Sequence, residues 1–175
     1  PVFLGDAPKE QRTACSGLRH GATAMREWHG TQRRVDVFDA KADAEAALAA
    51  LGVRTGGLQV RAGGADYLHP GRSGQLVQGR TVLASFGEIH PKVLDDFGLR
   101  GVAVAFEIHL DDVPLPKARG PARSLLTVSA FQPVKRDFAF IVNAETVAGD
   151  LLKAVRSGAG PMLSNLDVFD VYEGD

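Results

Sequence analysis

A single cysteine, Cys15, stands among 175 residues, so no internal disulfide can staple the chain, and a reducing compartment fits. Tryptophan is equally scarce, with Trp28 alone. No apolar run approaches the roughly 18 residues of a membrane span. Neither sign of charge dominates: 20 basic and 21 acidic residues leave a net charge of −1, so no global basic field captures nucleic acid. A GxxxxGK phosphate loop, a GxGxxG turn after a strand and an HExxH helix are all missing, which removes the best-marked nucleotide and zinc-protease chemistries. Residues Pro1 to Asp6 carry no initiator Met and no signal pattern, so the chain is expected to be entered midway. There is no internal repeat and no low-complexity tract.

What is present is a chain able to bury a core, at 45% hydrophobic with nine Phe. Val35 to Asp39 is short and apolar-rich and is expected to be a strand. Lys41 to Leu51 is Ala-rich, carries acids early and ends at Gly52, which predicts a helix. Leu58 to Arg61 alternates like a strand. Gln75 to Ala84 predicts a hairpin turning at Gln78-Gly79-Arg80. Pro91 can open a short helix over Lys92–Phe97, stopped by Gly98. Val102, Val104, Phe106, Ile108 and Leu110 alternate with Ala103, Ala105, Glu107 and His109, which predicts a strand with one apolar face. A proline-rich break follows from Asp111 to Pro121. Beyond it, Arg136–Val142 and Leu166–Tyr172 are expected strands. Between them lies a helix over about 146–157, capped by Asn143, with Val147, Leu151, Leu152 and Val155 as its stripe.

Turn chemistry is concentrated at two His-Pro segments, His69-Pro70-Gly71-Arg72-Ser73-Gly74 and Phe86-Gly87-Glu88-Ile89-His90-Pro91, one at each mouth of the expected hairpin. A Ser73, His69 and Glu88 set is formally available for hydrolysis, but the Gly-flanked Ser73 lacks the spacing of a nucleophile elbow. Turn-holding hydrogen bonds are the plainer reading of these side chains. Cys15, His20 and His29 have no fourth ligand and fit no zinc spacing. From Val113 to Arg136 the chain holds Lys117, Arg119, Arg123, Lys135 and Arg136 and no acid. That stretch reads either as a solvated linker or as a phosphate-facing patch.

Five motifs in order resemble the β subunit of bacterial phenylalanine–tRNA ligases. They are Asp36 to Lys41, His69 to Gly74, Gly87 to Pro91 followed by Phe106-Glu107-Ile108, Phe131 to Phe140, and Phe169 to Gly174. The resemblance runs from end to end. It implies an α+β fold with a mainly antiparallel sheet, similar to a class II synthetase core, followed by a truncated ferredoxin-like β-α-β. Residues 1–115 would be a partial, noncatalytic core, 116–128 a linker, and 129–175 the first half of a ferredoxin-fold anticodon-binding domain. The chain is therefore expected to be a fragment.

The resemblance further implies an α2β2 cytoplasmic enzyme that charges tRNA(Phe) with phenylalanine, using ATP and Mg2+, with the active site on the α subunit. No catalytic, metal or membrane role is then expected within this chain. Lys135, Arg136 and Arg123 become candidates for tRNA contact, although Arg136 could equally pair with Asp137 and anchor its strand. His69, Arg72, Glu88 and His90 become candidates for turn-holding and subunit contact. The rival readings are a free-standing hydrolase built on Ser73, His69 and Glu88, and an interaction module with no RNA role.

Overall fold

The computed structural model describes residues 1–115, 125–126 and 128–174. Two compact units divide the chain, Pro1–Ala118 and Arg119–Asp175.

The first unit is a sheet with one long helix on one face. A small antiparallel ribbon, β1 (Val2–Phe3) with β2 (Gln11–Arg12), precedes it. Then come β3 (Ala14–His20), α1 (Val37–Ala50), β4 (Gln59–Ala62), β5 (Leu68–Gln78), β6 (Thr81–Ile89), the short α2 (Pro91–Asp96) and β7 (Ala103–His109). The five strands lie in the order β3-β7-β6-β5-β4, and every neighbouring pair is antiparallel.

The expected period-2 strands are present, and the register shows why they hold. Leu76 stands opposite Ala84, and Ala84 opposite Ile108, so three strands contribute one row. All three side chains are fully buried. Helix α1 lies across β6 and β7 and lowers Ala40, Ala44 and Leu48 onto this face. That spacing of four residues is one stripe of a helix, and two alanines in it let helix and sheet approach closely. Each large apolar side chain buried here contributes roughly 1.5–3 kcal/mol before ordering entropy is subtracted. The intervening row, Gln75, Ser85, Glu107 and Ser16, is polar throughout and lies on the opposite face.

Two expectations in this unit are corrected. Val35 to Asp39 is not a strand. Asp36 is the N-cap of α1: its carboxylate accepts from the backbone N–H of Phe38 and Asp39, and Asp39 accepts from the N–H of Asp36. Two otherwise unpaired helix donors and the cap's own N–H are satisfied reciprocally, which outweighs the local alternation of apolar residues. The segment His69 to Ser73 is not a loop at a hairpin mouth either, because it lies inside β5. The hairpin itself turns where expected, with Gly79 at φ +62 supplying the left-handed conformation that a side chain would resist. Helix α2 also starts as expected, with His90 as N-cap and Pro91 at its first turn.

The second unit has one long element, α3 (Ala148–Ala159). It begins later than expected. The carbonyl of Asn143 accepts from Thr146 N at 2.9 Å, closing a turn, and Val147 then sits in extended backbone as an N-cap without a side-chain bond. Asn143 thus ends the preceding segment instead of capping the helix. The expected strands Arg136–Val142 and Leu166–Tyr172 carry no ladder among the described residues. Phe138 and Phe140 do stack, with ring centroids 6.4 Å apart, as side chains two apart on an extended chain can. A ladder needs a neighbour at hydrogen-bonding distance, and the two outer strands of a split β-α-β leave a strand-wide slot between them.

Candidate functional site

The two His-Pro segments meet where β5 pairs β6. Leu68 pairs Ile89 and Ser73 pairs Gly87, so β5 advances five residues while β6 advances two. The three extra residues bulge out of β5, which is where its turn chemistry is used. Within the bulge the N–H of Gly71 donates to His69 Nδ1 at 3.1 Å. Arg72 Nε donates to Glu88 Oε2 at 2.5 Å. On the other side the N–H of Lys92 donates to His90 Nδ1 at 3.1 Å, closing the first turn of α2. The rings of His69 and His90 stack at 6.4 Å.

Gly87 is dictated by this packing. A Cβ there would lie 2.7 Å from Ser73 Cβ and 2.9 Å from Arg72 O, closer than backbone atoms can yield. The bulge and the glycine opposite it are one design, although thirteen or more residues separate them in sequence.

The structure brings His69, Arg72, Glu88 and His90 together and does not turn them into a reaction centre. Glu88 is held by Arg72, and neither histidine is oriented by it. Each Nδ1 already accepts a backbone N–H, so no serine–histidine–carboxylate relay is assembled. The hydrolase reading finds no support in this arrangement. A hollow of about 290 Å³ does open beside the pair, between Glu88, Leu94, Leu99 and Arg100. A second, of about 230 Å³, lies on the other side of Arg72, toward Phe38 and Val60.

The remaining candidates are scattered. His20 Nε2 lies 2.9 Å from Arg100 O, His29 faces Glu27 at 3.1 Å, and Cys15 is exposed on the edge strand β3. Among the described residues no group of three or more His, Cys, Asp or Glu is placed to hold a metal. Lys135 and Arg136 are exposed, and among the described residues Arg136 makes no ion pair with Asp137. Arg123 lies outside the described residues.

Two charged clusters escaped the reading of the sequence. Arg33 reaches Asp39 through two bonds of 2.8 and 2.7 Å, and Asp36 at 3.1 Å. The Arg33 hydrogen bond, helped by the N–H of Asp36, holds the Asp39 carboxyl below the usual aspartate range. The Asp36-x-x-Asp39 spacing was the available signal for this cap. Tyr67 donates to Glu107 at 3.4 Å across the polar face of the sheet. Burial first, and then the charge of Glu107, push the Tyr67 hydroxyl up. No local signal joins these two, because 40 residues separate them.

Comparison with known proteins matches both units. Residues 1–110 match the phenylalanyl tRNA synthetase beta chain CLM domain, and residues 129–175 the ferredoxin-fold anticodon binding domain. The phenylalanine–tRNA ligase beta subunit of Rhodospirillum rubrum is 47% identical over 176 residues, covering all of this chain and 22% of its own length. The proteins of the same name from Cereibacter sphaeroides and Bradyrhizobium diazoefficiens are 45% and 47% identical, with the same 22% of their lengths covered. The chain thus spans about a fifth of the curated relatives it matches. With more than half of its length in one family's domain and both units matched in that family's order, the chain belongs to the phenylalanine–tRNA ligase beta-subunit family.

Proposed function

We propose that this chain works as a noncatalytic part of phenylalanine–tRNA ligase, which attaches phenylalanine to tRNA(Phe) with ATP. Residues 1–115 serve as a packing core, 116–128 as a linker, and 129–175 as the start of the anticodon-binding domain. Its partners are the catalytic α subunit, in an α2β2 assembly in the cytoplasm, and tRNA(Phe). ATP and Mg2+ belong to the whole enzyme, and no residue of this chain is assigned to them. His69, Arg72, Glu88 and His90 hold the bulge and the start of α2 and present that corner to a subunit.

The observation that carries this reading is the fate of the most chemical-looking residues. The carboxylate, the guanidinium and both imidazoles are spent on one another and on backbone N–H groups. That is the pattern of a scaffold. Lys135 and Arg136 stand exposed ahead of the Phe138–Phe140 pair, where they can reach phosphates without being buried. Arg123 completes the acid-free stretch as a third candidate.

The test is a pair of alanines at Lys135 and Arg136 in the complete enzyme. Neutralising a phosphate releases counterions, so each lost contact lowers the salt slope of binding by about one. tRNA affinity should fall and its salt dependence flatten, while ATP-dependent phenylalanine activation stays at wild-type rate. Unchanged affinity and slope would place the RNA contact elsewhere.

A further inference from the structure

The helix that covers the sheet stops short of one edge. Helix α1 lies over β6, β7 and part of β3, and leaves β4 and the adjoining half of β5 open on the same face. Strand β4 pairs with β5 alone, and all four of its residues are exposed. Its outer side therefore presents unpaired backbone N–H and C=O groups, a ready template for another strand.

The hollow of about 230 Å³ lies against the inner face of that edge. It is smaller than the roughly 300–1,000 Å³ of small-molecule pockets, so it suits a side chain better than a cofactor. Its apolar walls are Val37, Phe38, Val60 and Phe86, and its depth depends on Gly74. A Cβ at Gly74 would sit 2.8 Å from Phe86 Cζ and 3.3 Å from Arg61 O, filling the space under β4. Phe38 is 71% exposed and Val60 47%, so two large apolar side chains at the mouth of the hollow lack a cover. Its charged lining is Lys41 and Arg72, with no acid, and Arg61 stands exposed on β4 itself.

An open strand edge, an apolar slot beneath it and cations around it define one kind of guest. We propose that β4 accepts an extended segment of the α subunit as a sixth strand, with one apolar side chain in the hollow and carboxylates facing Arg61 and Lys41. Backbone pairing would supply affinity and the hollow would supply register, as in strand addition generally. This inference rests on the β-subunit reading above.

Hydrogen exchange on the full-length β subunit, alone and assembled with α, tests it. Amides of Gln59–Ala62 should exchange freely in the isolated subunit and become protected on assembly. Protection already present in the isolated subunit would mean that its own chain covers the edge, and free exchange in both states would mean that nothing does. Either result overturns the inference and leaves the β-subunit reading standing. Failure of the two subunits to associate at all would overturn both. As a second measurement, the double variant F38A/R61E should associate with α about tenfold more weakly, since exposed anchors of this kind are where interface energy concentrates. The thermal unfolding of the isolated subunit should not change, because both side chains are exposed. Wild-type association of the double variant would contradict the proposal.

Discussion

The two units of this chain use the same sequence grammar with opposite results. In the first, Val104, Phe106 and Ile108 alternate with smaller or polar residues, and β7 forms between two neighbours. In the second, Phe138, Phe140 and Val142 alternate just as cleanly, yet Phe138 is 72% exposed and no ladder forms among the described residues. Alternation decides which side chains share a face. It does not supply the partner whose backbone completes the hydrogen bonds. Where neighbours exist on both sides, the pattern becomes a strand, and where they do not, it remains an exposed extended run.

The largest expected effect breaks the first unit and spares the second. Leu48→Ala or Ile108→Ala removes a fully buried side chain from between α1 and the sheet, and each should cost about 2–5 kcal/mol in denaturant unfolding. Phe138→Ala in the same chain removes more atoms and should cost less than about 0.5 kcal/mol, because those atoms are not buried. Equal losses would mean that the second unit has a core of its own.

The next effect concerns close packing. Gly87→Ala forces a Cβ against Ser73 and the carbonyl of Arg72, so the β5 bulge must shift. A loss of about 1–3 kcal/mol is expected, with amide exchange at Arg72 and Ser73 rising first. A neutral result would show that the bulge is soft and its glycine incidental.

This bulge marks the limit of what the residues reveal in order. Gly79 and the apolar rows flanking it predict the hairpin, because turn and alternation are both local. The same is true of α2, where His90 and Pro91 announce the start of a helix. The turn-rich run His69 to Ser73 was legible as unusual, but whether it is a loop or a bulge depends on Ile89 and Gly87, which pair with it across the sheet. The start of α1 was misread because Val35, Val37 and the residues between them suit a strand equally well. Only the reciprocal bonds of Asp36 and Asp39 decide it. Among the candidate residues, Arg72 and Glu88 were singled out separately, and their pairing is a product of the register. Tyr67 and Glu107 were joined by nothing nearer than the fold.

A smaller effect follows from that cap. Asp36→Ala leaves the N–H groups of Phe38 and Asp39 without their side-chain acceptor, and should cost about 0.5–2 kcal/mol. Asp39 adds a pH dependence of known sign. Its folded pKa lies below its unfolded value, so its contribution is complete above the ordinary aspartate range of about 3.9 and is lost as pH falls through the lower, folded value. Arg33→Ala, which removes the first cause of that depression, should flatten the acid limb of a stability–pH curve. An unchanged limb would assign it to other carboxylates.

The smallest effect is expected where a hydrolase would show its largest. Ser73→Ala in the complete enzyme should leave phenylalanine activation and tRNA charging at wild-type rates, because no base is aimed at Ser73. A large drop in either rate, with the fold intact, would reopen a chemical role for this corner.

The comparison between the units is tested most directly by amide hydrogen exchange, followed residue by residue on this 175-residue chain. Amides of Val104–Ile108 should exchange only through wide opening of the sheet, orders of magnitude more slowly than those of Phe138–Val142, which should exchange almost as fast as an unfolded chain. Similar protection in the two segments would contradict the account, because it would show that the second unit pairs its strands without further neighbours.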